Sequence, residues 1–343
     1  MRSLTLARAA GAGLLLAMIA LVVLYLIPSS KNYVFLPDRA HALEPLVRIS
    51  GEHRAPTGGG VYFVDVRFRK ARLLEDLLGR PLAHGGTLQP IRDVLGGATE
   101  KQQARLDATE MEQSQKIAAA VALKRLGYHV GIRLPSVLIR GVVRDAPAAR
   151  VLRAGDKLLA VNGKSVHSLG RLHALITTHR PGDQLRITYS RSGRVATATI
   201  TTIPSPDDKR EAAIGILVAE TGGSPGKLPV KVHIDTRGVG GPSAGLAFAL
   251  DLTEELGDDV DHGYKVAATG ELELDGSVLP IGAVKQKTIG AREAGVDVFL
   301  VPAGSNARTA RRYAHGLRII PVQSFPQALH ALATLPSKHP GSA

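Results

Sequence analysis

No cysteine occurs among the 343 residues, which removes disulfides, iron-sulfur clusters, thiolate zinc sites and a cysteine nucleophile together. Tryptophan is also absent and aromatic residues make up only 4%, so the chain lacks a surface on which nucleic-acid bases would stack. Long Lys/Arg runs are missing too. The 43 Lys plus Arg against 30 Asp plus Glu, a net +13, therefore read as a generally basic surface suited to anionic lipid, not as a nucleic-acid site. There is no G-x-x-x-x-G-K-[ST] loop; Asn162-Gly163-Lys164-Ser165 resembles its end without the earlier glycine. No H-E-x-x-H spacing occurs either, and no metal or other cofactor is expected. What is present is ordinary for a folded protein: 44% hydrophobic and 21% charged residues, over a length that suggests two domains and a short extra segment.

The extra segment lies at the start. From Ala9 to Ile27 the chain carries no charge, and as a helix this run would cover ~28 Å, about the thickness of a bilayer core. Arg2 and Arg8 precede it, so the positive-inside rule puts the N-terminus in the cytoplasm and everything after Pro28 outside the cell membrane. A cleaved signal peptide is the competing reading. The stretch after the run offers no A-x-A-like site, which favours an uncleaved single-pass anchor over residues 1–30.

Residues 31–98 read as strand-rich, with Val61 to Val66 following a glycine turn, and 99–128 as a helical connector carrying an apolar stripe from Met111 to Leu126 and Gly127 as its cap. Residues 129–204 then alternate short strands with the tight turns Gly155-Asp156 and Asn162-Gly163. The series Ala154-Gly155-Asp156, Lys157 to Val161, Asn162-Gly163-Lys164 and Pro181-Gly182-Asp183 resembles a bacterial PDZ domain. Such domains bind extended peptides by adding a strand to a sheet edge. The resemblance implies a carboxylate-binding loop, and Val130, Gly131 and Ile132 are the candidates for it.

Chemistry concentrates later. Val230 to Ile234 reads as a strand, followed by a glycine-rich turn and an apolar helix, so Ser243 sits at a helix N-terminus where free N–H groups could stabilise an oxyanion. Gly240 and Gly241 would let a substrate backbone approach; an ordinary serine cap is the plain alternative. Gly241-Pro242-Ser243-Ala244-Gly245 also fits the G-x-S-x-G elbow of esterases, although the later histidines (His262, His315, His330, His339) stand in no triad context. Residues 268–302 read as strand, turn at Asp275-Gly276, strand, helix, strand. On that helix Val284, Lys287, Thr288, Ala291 and Ala294 share a face, with Lys285, Gln286, Arg292 and Glu293 pointing elsewhere. A lysine held against apolar surroundings is easily neutral and could serve as a base for the serine.

The two stretches together resemble the proteolytic domain of Lon proteases, on Gly241 to Gly245, Thr269-Gly270-Glu271, Val278-Leu279-Pro280-Ile281-Gly282 with the lysine that follows, and Val301-Pro302. The resemblance implies an α+β fold of the ribosomal protein S5 domain 2-like kind over residues 205–335, and a Ser-Lys dyad of Ser243 and Lys287, with Lys285 as the fallback. It also implies a supporting hydroxyl at Thr269, a supporting loop of Gly240, Gly241 and Pro242, and oxyanion donors near Gly241 and Ser243. Many ATP-dependent relatives carry an acid where this chain has Gly240. Anchor, PDZ module and proteolytic domain together look like the membrane-tethered Lon-like proteases of Gram-positive bacteria. That implies ATP-independent cleavage of protein or peptide substrates, a ring-shaped homo-oligomer such as a hexamer, and insertion of the helix and PDZ module into the proteolytic domain. An inactive membrane-tethered adaptor is the alternative. Residues 336–343 read as a disordered tail.

Overall fold

The computed structural model describes residues 2–49, 58–205, 209–221, 223–336 and 338, with side chains from residue 11 onward. In chain order, helix α1 (Arg2–Leu26) leads into β1 (Pro28–Pro37) and β2 (His41–Ala42), followed by β3 (Gly60–Phe63), β4 (Val66–Arg72) and the long α2 (Glu100–Arg125). Next come β5 (Ser136–Val142), β6 (Lys157–Val161), α3 (Leu169–Thr177), β7 (Gln184–Arg191), β8 (Arg194–Thr201) and β9 (Ile216–Thr221). The last part holds α4 (Gly245–Glu255), β10 (Lys265–Ala268), β11 (Glu271–Leu272), β12 (Val278–Leu279), α5 (Val284–Glu293), β13 (Val298–Pro302), α6 (Ser305–Tyr313), β14 (Arg318–Val322) and α7 (Phe325–Ala333).

The sheet that positions the site has the order β2-β3-β10-β13-β14, parallel except where β2 joins β3. Helices cover both faces, so its inner strands are apolar on successive residues instead of alternating. Val266, Ala268, Val298 and Leu300 face the cluster that holds Phe63, Phe248 and Phe325, whereas Ala267, Phe299 and Val301 face Val284, Ala291 and Ala307. The pairing of β3 with β10, Val61 opposite Val266 and Phe63 opposite Ala268, joins residues about 200 apart in sequence. Everything from β4 to β9 is therefore looped out between two neighbours of one sheet. α2 is no mere connector: Met111, Ala118, Ala119, Val121 and Ala122 are buried in the same core as α4.

The second module is a sheet in the order β8-β7-β6-β5-β9, with Lys164–Ser165 folded back on β6 and α3 packed against it. Asn162 and Gly163 both adopt positive φ, 50° and 77°, the left-handed pair that a tight hairpin needs. Its boundary needs correcting. β9 pairs antiparallel with β5 from Ser136 to Val142, so the module reaches past residue 204; its apolar run Ile214 to Val218 reads equally well as the start of the following domain. The expected carboxylate loop is corrected too. Val130 packs with Ala120, Leu123 and Leu274 against α2, and the Gly131 carbonyl lies so close to Gly226 that a Cβ there would stand 2.2 Å from it. Neither residue is on a sheet edge.

Among the described residues no helix is long and apolar enough to cross a membrane. α1 is described with its side chains only from residue 11, and there Leu14, Leu16, Met18 and Leu21 are exposed. Most of the expected tail lies outside the described residues.

Candidate active site

Ser243 stands in a short 3-10 turn (Pro242–Ala244) that runs into α4. Three contacts fix this turn from behind. The Gly241 amide donates to the Asp107 carbonyl of α2 at 2.8 Å, the Ser114 hydroxyl donates to the Pro242 carbonyl at 3.1 Å, and the Gly270 amide donates to the Ser243 carbonyl at 2.8 Å. Gly241 takes φ 85°, a conformation that favours glycine. Gly240 has to be small: a Cβ there would sit 2.7 Å from the Asp107 Cβ. The helix leaves no room for an acidic side chain at that position. Because the Gly241 amide is spent on Asp107 and Pro242 has none, the expected oxyanion role moves off Gly241; the Ser243 amide, in a first turn where amides lack helical acceptors, is the donor that remains.

Lys287 comes from α5, one turn after Ala283, and is 4% exposed. Its Nζ lies 2.5 Å from the Ser243 Oγ and 3.3 Å from the Thr269 Oγ1. The Thr269 hydroxyl donates its proton to the Ser243 carbonyl at 3.0 Å. Its oxygen is then an acceptor only, so an amine N–H turns toward Thr269 and the lone pair of a neutral amine turns toward the serine hydroxyl. Burial pushes the Lys287 amine down to about 8, with Asp65 acting in the opposite sense. A neutral amine so placed can take the Ser243 proton as Oγ attacks a carbonyl carbon, then return it to the leaving amine.

Lys285, the fallback, is excluded from this role by its partners, the Gly86 carbonyl at 3.0 Å and the Tyr313 ring. Gln286 departs from its expected outward place: it is buried, donating to Gly85 and Thr87, because the segment before Pro90 covers that side of α5. Ser243 and Lys287 open into a cleft of about 460 Å³ lined by Phe35, Phe63, Asp65, Phe68, Met111 and Val239 among others, and no histidine lines it. A larger cavity, about 910 Å³ beside Arg48, Lys116 and Lys227, holds no nucleophile and lies away from the dyad. Among the described residues, Asp38, His41 and Asp65 bring potential metal ligands together, as do Glu254, Asp259 and Asp261. The first group is an ion-pair cluster, with Asp38 on Arg67 and Asp65 facing His41 at 3.4 Å. In the second, Glu254 accepts the amides of Val260 and Asp261.

Sequence reading missed Asp65, Asp107 and Ser114. The one available signal was an acid inside the apolar run Val61 to Val66.

Residues 105–202 match the PDZ domain family, and residues 226–333 match the Lon protease (S16) C-terminal proteolytic domain. Lon protease 2 of Thermus thermophilus is 27% identical over 229 residues, 58% of this chain and 28% of that protein. Lon protease of Helicobacter pylori is 46% identical over 68 residues, covering 20% of this chain and 8% of that one. The chain thus spans about a quarter or less of the length of these relatives. Among solved structures, the PDZ domain of the SdrC-like protein from Listeria monocytogenes is 27% identical, with a TM-score of 0.23, 24% of this chain and 86% of that chain being covered. A PDZ domain is therefore joined in this chain to a Lon-type C-terminal proteolytic domain, and its homology to Lon proteases supports a serine protease.

Proposed function

We propose that this protein is an ATP-independent serine endopeptidase that uses Ser243 as nucleophile and Lys287 as base and then acid, tethered to the cell membrane with its catalytic domain outside. The observation that carries the reading is the buried Lys287 amine 2.5 Å from the Ser243 hydroxyl. A lysine kept from water with no carboxylate in hydrogen-bond contact is costly to maintain, and its return is a proton acceptor near neutral pH.

The tether is supported by the uncharged run from Ala9 to Ile27 and by exposed leucines along the part of α1 that follows Gly11. Substrates would be protein segments held extended across the apolar cleft. The PDZ module would recruit or gate them. The edge strand β9, opposite α3, is the position for an added peptide strand, and α3 also leans on the proteolytic domain, where Gly170 meets Leu279. A ring of identical subunits is the assembly we propose from the likeness to Lon enzymes.

The test is cleavage of an unfolded protein by the full chain in detergent without ATP, with Ser243→Ala and Lys287→Ala beside it. Activity in the wild type and loss to background in both folded variants is the expected result. A wild type that neither cleaves nor reacts at Ser243 with a serine-directed probe would point to an adaptor instead.

A further inference from the structure

The mechanism above leaves one half-buried acid in the cleft without a task. Asp65 stands two residues after the end of β3, where the chain leaves the central sheet, and it lines the same cleft as Ser243 and Lys287. Its Oδ1 is buried and accepts no hydrogen bond, a condition that costs free energy unless some charge nearby repays it. The charged groups around it are His41 on β2, whose Nε2 is 3.4 Å away, Asp38 before β2, which is tied to Arg67, and Lys287 on α5. Asp107 and Arg237 line the cleft farther along. Burial pushes the Asp65 carboxyl up, while His41 and Lys287 pull it back.

We propose that Asp65 is a positioning residue for the dyad, whose carboxylate holds the Lys287 ammonium that forms when Ser243 gives up its proton. This rests on the dyad reading above. When Oγ bonds to the scissile carbonyl carbon, the hydroxyl proton moves to Nζ, and a positive charge appears on a buried amine. Ser243 and Thr269 offer that ammonium only neutral oxygens. The negative charge within its electrostatic reach is Asp65. The proton then passes to the leaving amine, Lys287 is neutral again, and Asp65 is unchanged throughout. The carboxylate has to stand off: a direct ion pair would keep the amine protonated and abolish the base. Its separation from hydrogen-bond contact is what lets one lysine serve as both base and acid.

The experiment follows the full chain in detergent, wild type against Asp65→Asn, Asp65→Ser and the charge-conserving Asp65→Glu. Peptide cleavage is measured across pH, and the Lys287 amine is titrated by NMR of lysine labelled at Cε, its signal identified by its loss in Lys287→Met. Without the carboxylate the amine should titrate lower by about one pH unit. The acid limb of kcat should move with it, the high-pH plateau should fall about tenfold or more with little change in KM, and Asp65→Glu should restore part of both. Two neutral variants guard against one that fails to fold. A Lys287 titration that coincides in wild type and the folded neutral variants overturns the proposal whether or not the enzyme is active. Absence of any Ser243-dependent cleavage, with the NMR shift present, would instead overturn the protease reading alone.

Discussion

At Lys287 two demands compete, since the amine has to be buried to act as a base and burial weakens the fold that holds it. Held down to about 8, it is protonated and idle in acid, so kcat/KM for peptide cleavage should climb as pH rises through about 8, measured as a pH-rate profile. The same shift is a stability statement. The folded state binds fewer protons than the unfolded one between about 8 and the ordinary lysine value, so the penalty is full below about 8 and fades as pH rises toward 10.5. Lys287→Met should be inactive yet more stable at pH 7, by on the order of 3 kcal/mol, seen as a melting temperature several degrees higher in calorimetry, with the difference shrinking in alkali. The place of Ser243 at a helix start and of Lys287 on the packing face of its helix was legible because a glycine-proline turn and a helix phase are local patterns; their pairing as a dyad was implied only by the resemblance to Lon proteolytic domains. Asp65 and Gly241 were not legible: whether a half-buried acid stands near a lysine, or an amide is already spent on Asp107, depends on segments far away in sequence.

Among the elements, α2 shows what periodicity reveals and what it hides. Its apolar stripe and its Gly127 cap, at φ 86°, could be read from spacing. That the stretch of the helix from Asp107 to Ser114 forms the back wall of the serine turn could not, because the contacts of Asp107 with Gly240 and Gly241 and of Ser114 with Pro242 cross more than 120 residues. Gly240→Ala tests the wall. A Cβ 2.7 Å from Asp107 has to push the turn toward the cleft, and the loss should appear as a fall in kcat of tenfold or more with circular dichroism unchanged. β9 teaches the same lesson in reverse: Ile216 to Ala219 is an apolar run that nothing local assigns to one sheet over another, and its pairing with β5 decides the matter.

For the whole molecule, the seam between the PDZ module and the proteolytic domain runs along α3 and the β11-β12 hairpin. Glu273 lies in it, hydrogen-bonded to Ser168, and burial with Glu220, Asp275 and Glu271 nearby carries its carboxyl up to about 7. A carboxyl raised in the folded state favours folding when protonated, and that contribution is lost as pH climbs from its ordinary range through about 7. Glu273→Gln should therefore melt at about the same temperature as wild type at pH 5 and a few degrees higher at pH 8, by calorimetry across that range. The looping-out of residues 66–221 between β3 and β10 bears on a different matter, the order of events on the ribosome. β3 leaves the ribosome early, but its parallel neighbour β10 is some 200 residues behind it, and loop closure on that scale is slow. Until Lys265 to Ala268 have emerged, β3 has only the short β2 beside it, and until Lys287 follows, the Ser243 hydroxyl has no amine next to it. On the proposed mechanism, a growing chain that carries its own nucleophile is therefore unable to cut itself or its neighbours until α5 has been made.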